Sequence, residues 1–185
     1  MIDRADPKSR RDAYGSRINR AHSPALAYAV PWAAVLLATL LPVLPIASAA
    51  PVVPPRGLMM LIAWRLVRPG LLPVWAGFPL GLFDDLFSGQ PFGSAILLWS
   101  LAMIAIEAVE VRFPWRSFVQ DWLIAAVILT SYIVVAAVFS GAQLGAPLFG
   151  ALVPQALLSL MIYPILARIV SALDRFRLLR VRVLG

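Results

Sequence analysis

Six stretches of this chain are almost wholly apolar, and short polar or charged stretches separate them. They cover residues 25–46, 57–67, 71–87, 92–111, 119–140 and 147–173. A helix needs about 20 apolar residues to cross the hydrocarbon layer of a bilayer. The pattern therefore predicts an all-α integral membrane protein with six transmembrane helices. The second stretch is the short one, ending at the break Val67-Arg68-Pro69. Arg65 and Arg68 are expected to lengthen it by snorkelling, with Trp64 at the membrane interface. The other reading of this stretch is a re-entrant or interfacial segment.

Charge sets the orientation. The sixteen basic residues fall in an N-terminal group, Arg56 alone, the pair Arg65 and Arg68, the pair Arg112 and Arg116, and a C-terminal group from Arg168 to Arg182. With the N-terminus in the cytoplasm, six crossings place every basic group except Arg56 inside, and the C-terminus inside as well. Five crossings would throw the C-terminal arginines outside. The expected organisation is a basic cytoplasmic tail over residues 1–24, a membrane domain over 25–173 and a basic cytoplasmic tail over 174–185. Both tails are suited to anionic headgroups, although they equally fix orientation alone. Residues 168–182 alternate Arg with apolar residues and are expected to extend the last helix along the membrane surface. Ala47-Ser48-Ala49 looks like a signal-peptidase site. The apolar run before it is longer than the about 7–15 residues of a signal h-region, so an uncleaved first helix is expected.

Composition narrows the function. The chain of 185 residues is 61% hydrophobic and 14% charged, with a net charge of +7; its mean hydropathy is +0.85. Soluble domains are about 45–50% apolar and about 25% charged, which excludes a soluble enzyme or a disordered scaffold. There is no cysteine, hence no disulfide, thiol nucleophile or Cys-held metal. The single histidine, His22, and single lysine, Lys8, both lie in the N-terminal tail. No metal-binding, phosphate-binding or nucleophile-elbow motif is present. No enzyme activity, cofactor, metal or nucleic-acid partner is expected.

Charge within the spans costs at least about 2.5–3.5 kcal/mol per residue on insertion scales, so each such residue needs a reason. Glu107, Glu110 and Asp121 sit at the cytoplasmic ends of their spans and are expected to pair with Arg112 or Arg116. Asp84 and Asp85 lie late in the third span, toward its outer end. Gly77, Gly81, Asp85 and Gly89 recur every four residues and so follow one slowly drifting stripe of a helix. Gly77 and Gly81 form a G-x-x-x-G step that lets a neighbouring helix approach closely. Asp85 on that stripe is expected to point into protein, as a structural anchor or as part of a site at the outer mouth.

The segment over residues 54–93 resembles the rod shape-determining MreD family. It has prolines before a short apolar helix, then Trp64, then Pro69 among basic residues, then the block Gly81, Asp85, Gly89 and Gly93. Pro164 followed by Arg168 matches a late-helix feature of the same family. Asp84 falls where the family usually has an apolar residue. The resemblance implies a non-enzymatic subunit of the bacterial elongation complex in the cytoplasmic (inner) membrane. It implies MreC as main partner, with MreB filaments, RodA and a penicillin-binding transpeptidase reached through the complex. It also implies a fold similar to the substrate-binding S-components of energy-coupling-factor vitamin transporters. The rival reading follows from that fold: a small-molecule-binding S-component, with Asp84, Asp85, Trp75, Trp99 and Gln90 gathered around a ligand near the outer face.

Overall fold

The computed structural model describes residues 20–22, 24–41, 54–113, 115, 117–143, 145–177 and 180–182. Six α-helices carry the fold: α1 (Pro24–Leu40), α2 (Arg56–Val67), α3 (Gly77–Phe87), α4 (Ser94–Arg112), α5 (Phe118–Phe139) and α6 (Ala146–Arg177). A short antiparallel ribbon pairs β1 (Arg20–His22) with β2 (Arg180–Arg182). The remainder of both tails, the segment containing Ala47-Ser48-Ala49, and Arg116 lie outside the described residues.

Among the described residues, three helices are long and apolar enough to cross a membrane: α4, α5 and α6. α1 is shorter, and α2 and α3 have only 12 and 11 residues. The expected third span from residue 71 begins instead as a turn at Gly70, with φ of 78°. A single 3-10 turn (Val74–Ala76) follows before α3 starts. The C-terminal arginines also depart from expectation. α6 stops at Arg177, and residues 180–182 pair as a strand instead of extending the helix.

The packing explains how a short apolar helix is accommodated. α1, α3, α4, α5 and α6 touch one another in a closed ring, and α2 touches α1, α4, α5 and α6. α2 is thus the axis of the bundle, and every residue from Gly57 to Leu66 is buried. At about 1.5 Å per residue it rises only about 18 Å. A helix sheathed by protein need not match the lipid thickness, because protein and not hydrocarbon surrounds it.

This placement corrects two expectations. Trp64 is fully buried in the core, not interfacial. Arg65 does not snorkel: it is 2% exposed, and its guanidinium pairs with Glu107 and Glu110 of α4 and donates to the Leu72 carbonyl at 2.6 Å. The partners of Glu107 and Glu110 are therefore supplied by α2, where Arg112 or Arg116 was expected. A second cluster joins Arg68 and Arg177 to the two oxygens of Asp174, at 2.6 and 2.7 Å. Asp174 and Arg177 are themselves buried, although residues 174–185 are expected to form a tail.

These ion pairs define one end of the bundle. The C-termini of α2, α4 and α6 meet there, together with the start of α1, whose Ala27 carbonyl accepts from Arg177. The first and last helices thus begin and end at the same end.

Two helical prolines are also accommodated by this packing. Proline has no N–H, so the carbonyl four residues earlier loses its helical donor. For Pro31 that carbonyl is Ala27, which receives Nη1 of Arg177 at 3.3 Å. For Pro164 it is Leu160, which receives the indole N–H of Trp122 from α5 at 3.2 Å.

Candidate functional site

The opposite end of the bundle holds the motif residues. Asp85, in the last turns of α3, is 7% exposed and turns toward the start of α4. One carboxylate oxygen accepts the backbone N–H groups of Gly93 and Ile96, at 2.9 and 3.1 Å. The other accepts the N–H of Ala95 at 2.9 Å and the hydroxyl of Ser94 at 3.5 Å. The first N–H groups of a helix have no intrahelical acceptor. Asp85 supplies it from another helix, and its negative charge suits the positive end of the α4 dipole.

The four motif-spaced glycines divide into two jobs. A Cβ on Gly77 would come within 2.8 Å of the Trp99 carbonyl oxygen, and one on Gly81 within 2.6 Å of the Ala95 carbonyl oxygen. Both obstacles are α4 backbone, which cannot step aside, so these glycines set the close approach of α3 to α4. Gly89 and Gly93 face open space but have φ of 69° and 93°. That left-handed conformation suits glycine at the tight turn between the two helices. The block from Gly77 to Gly93 therefore builds one object, a capped and closely packed helical hairpin.

Asp84, next in sequence, faces elsewhere. It lines a cavity of about 560 Å³ at this end of the bundle. The cavity lies over the N-terminus of α2, bounded by Pro54, Arg56, Gly57 and Leu58, with the far walls from α3, α5 and α6. The central helix begins too late to fill the ring, and the cavity is the length it leaves empty. Trp99 and Gln90 reach the same cavity. Trp75 does not. It sits before α3, at the other end of that helix from Asp84, against Trp32 with ring centroids 5.7 Å apart. Asp85 is turned away into the cap. Trp64 and Pro164 likewise belong to the packing of α2 and α6, Pro164 being half-buried.

A polar chain ties cap to cavity. Ser94 donates to Gln90 Oε1 at 3.4 Å, and Gln90 Nε2 donates to the Tyr132 hydroxyl at 3.5 Å. The indole N–H of Trp99 is buried beside that hydroxyl, outside hydrogen-bonding geometry. Arg56, Tyr132 and Gln155 were not singled out in the sequence. Arg56 stood out only as the one basic residue outside the cytoplasmic groups, and the other two carried no signal.

Among the described residues, no group of three His, Cys, Asp or Glu side chains is placed to hold a metal. Among the described residues the cavity lining offers one cation, Arg56, one carboxylate, Asp84, amide and hydroxyl groups, and an apolar floor.

The model of the rod shape-determining protein MreD family matches residues 25–177, which takes in α1 to α6 almost completely. The chain belongs to the MreD family. No curated protein and no solved structure matches it significantly. Membership makes it a membrane protein of rod-shape determination, consistent with the three long apolar helices. Gly81, Asp85, Gly89 and Gly93, the residues that carried the resemblance, together form the α3–α4 hairpin.

Proposed function

We propose that this chain is a non-enzymatic, multi-pass subunit of the bacterial elongation complex in the cytoplasmic membrane. In this reading it binds MreC and helps link MreB filaments to peptidoglycan synthesis by RodA and a penicillin-binding transpeptidase. The observation that carries the reading is the family match across the whole helical core. Six crossings with both tails inside agree with the α1 start and the α6 end lying at one end of the bundle. They also agree with the basic residues gathered there. The helix ring around a central helix is the architecture for which an S-component-like fold is proposed.

The capped hairpin suits a scaffold. Its cap and its glycines hold α3 and α4 in one arrangement, so that the lipid-facing sides of α4 and α5 present a fixed surface to a single-span partner. Trp64, Gly77, Gly81, Asp85, Gly89, Gly93 and Pro164 then act by holding that surface in shape. The test is co-purification with MreC in mild detergent, together with cell shape after depletion and complementation. Stable recovery of MreC and restored rods are expected. Failure to recover MreC alongside normal cell shape would reject the reading.

The cavity favours a second reading, a small-molecule-binding S-component of a vitamin transporter. It predicts ATPase subunits and a stoichiometric vitamin in the same purification.

A further inference from the structure

The cavity at the α2 N-terminus carries two opposite charges that do not meet. Arg56 and Asp84 both line it, both are half-buried, and among the described residues neither forms an ion pair or side-chain hydrogen bond. At the other end of the bundle Arg65 and Asp174 both stand in ion pairs. Charges left single beside apolar walls are costly, and such residues in membrane proteins mark sites. Neither charge is needed for the cap, which Asp85 provides alone.

The rest of the wall agrees with a bound molecule. Gly57 and Leu58, in the first turn of α2, line the cavity beside Arg56, and the N–H groups of a helix's first turn have no intrahelical acceptor, which favours an anion there. Asp84 and the Gln90 amide lie on the α3 side, where a cation with N–H donors is favoured. Leu58, Ile133, Ala136 and Leu152 make the remaining surface apolar. A volume of about 560 Å³ is within the usual range of about 300–1,000 Å³ for small-molecule sites.

We propose that this cavity binds a zwitterion, its anionic group on Arg56 and the α2 N-terminus and its primary ammonium on Asp84. One net-neutral molecule satisfies both charges at once, which a simple anion or cation does not. Two sources offer that chemistry, the phosphoethanolamine headgroup of a membrane lipid and a free water-soluble zwitterion. This inference stands whether or not the chain binds MreC.

The test uses the purified full chain in lipid-stripped maltoside micelles, read by native mass spectrometry and thermal shift. The probes are dioleoyl phosphatidylethanolamine, dioleoyl phosphatidylglycerol and free phosphoethanolamine. One phosphatidylethanolamine per chain is expected, at least about 5-fold preferred over phosphatidylglycerol, a difference of about 1 kcal/mol. Asp84→Asn should abolish that preference, and Arg56→Gln should weaken both lipids. Ala137→Trp, which fills the cavity without changing charge, should exclude the probe. This third variant keeps the test decisive if either charge variant folds poorly. Saturable binding of free phosphoethanolamine with the same variant pattern would support the site and assign it to a soluble zwitterion. Equal binding of the two lipids, or lipid binding unchanged in Asp84→Asn and Ala137→Trp, would overturn the proposal.

Discussion

Asp85 and Ala95 are joined twice over. The Ala95 N–H donates to the Asp85 carboxylate at 2.9 Å, and the Ala95 carbonyl stands where a Cβ on Gly81, one helical turn before Asp85, would collide with it. Cap and close approach are thus one contact: the carboxylate reaches the α4 amides only because Gly81 lets the two backbones come together. Asp85→Leu should remove the acceptor for three backbone N–H groups while preserving hydrophobicity. Each buried donor left unpaired costs about 1–3 kcal/mol. A drop of several degrees in detergent melting temperature is expected, with membrane insertion unchanged. Asp85→Asn, which keeps one acceptor oxygen, should fall between. Equal melting temperatures for Leu and wild type would remove the cap from the explanation of the motif.

The two classes of glycine should fail differently. Gly81→Ala puts a methyl group against α4 backbone, and relief requires the helices to part. Gly89→Ala meets no atom, and its cost is the left-handed backbone alone, about 1–2 kcal/mol. Asparagine tolerates that conformation better than alanine. Gly89→Asn should therefore be milder than Gly89→Ala, whereas Gly81→Asn should be at least as harmful as Gly81→Ala. Thermal melts of the four variants check the crossed pattern, and parallel losses at both positions would contradict it.

How far the sequence foretold this depends on the range of the contact. Spacing by four along one helix is local, so the Gly77–Gly81–Asp85 stripe and its protein-facing side were readable from residues alone. The partner of Arg65 was not. Glu107 and Glu110 are more than forty residues away in α4, while Arg112 stands only two residues beyond Glu110, and hydropathy cannot rank a distant partner above a near one. The same limit hid the central position of α2. Its apolar run looks alike whether lipid or protein surrounds it, and only the closed ring of the other five helices distinguishes the two. Arg56 was legible as an outlier of charge, but the cavity it faces arises from the length α2 does not fill, a property of the assembled bundle.

The Arg65 cluster yields a prediction about what is being balanced. Removing one partner of a buried ion pair commonly costs about 3–5 kcal/mol, because the remaining charge stays buried. Here the upper end is not expected, since the Glu107 side chain is 45% exposed and solvent screens it. Arg65→Met should leave Glu110 as the main uncompensated charge and lower stability clearly. The triple variant Arg65→Met, Glu107→Gln, Glu110→Gln should recover much of that loss, because no buried charge remains. Melting temperatures in one detergent decide it, and a triple variant less stable than Arg65→Met would reject the account.

The proline in the last helix offers the most selective test. Pro164 leaves the Leu160 carbonyl without a helical donor, and the Trp122 indole fills the vacancy from α5 at 3.2 Å. Trp122→Phe keeps most of the ring but loses the N–H, and it should cost about 1 kcal/mol, the usual net worth of one hydrogen bond. Pro164→Ala restores an N–H that reaches the Leu160 carbonyl within the helix. In that background the carbonyl already has a partner, and Trp122→Phe should cost less. The two substitutions must therefore be non-additive, with a coupling of about 0.5–1 kcal/mol in a double-mutant cycle. If the costs simply add, the indole contact is incidental to the proline and the helix tolerates Pro164 by some other means. If they couple, the α5–α6 contact is specified by a backbone group that a residue four positions later sets free.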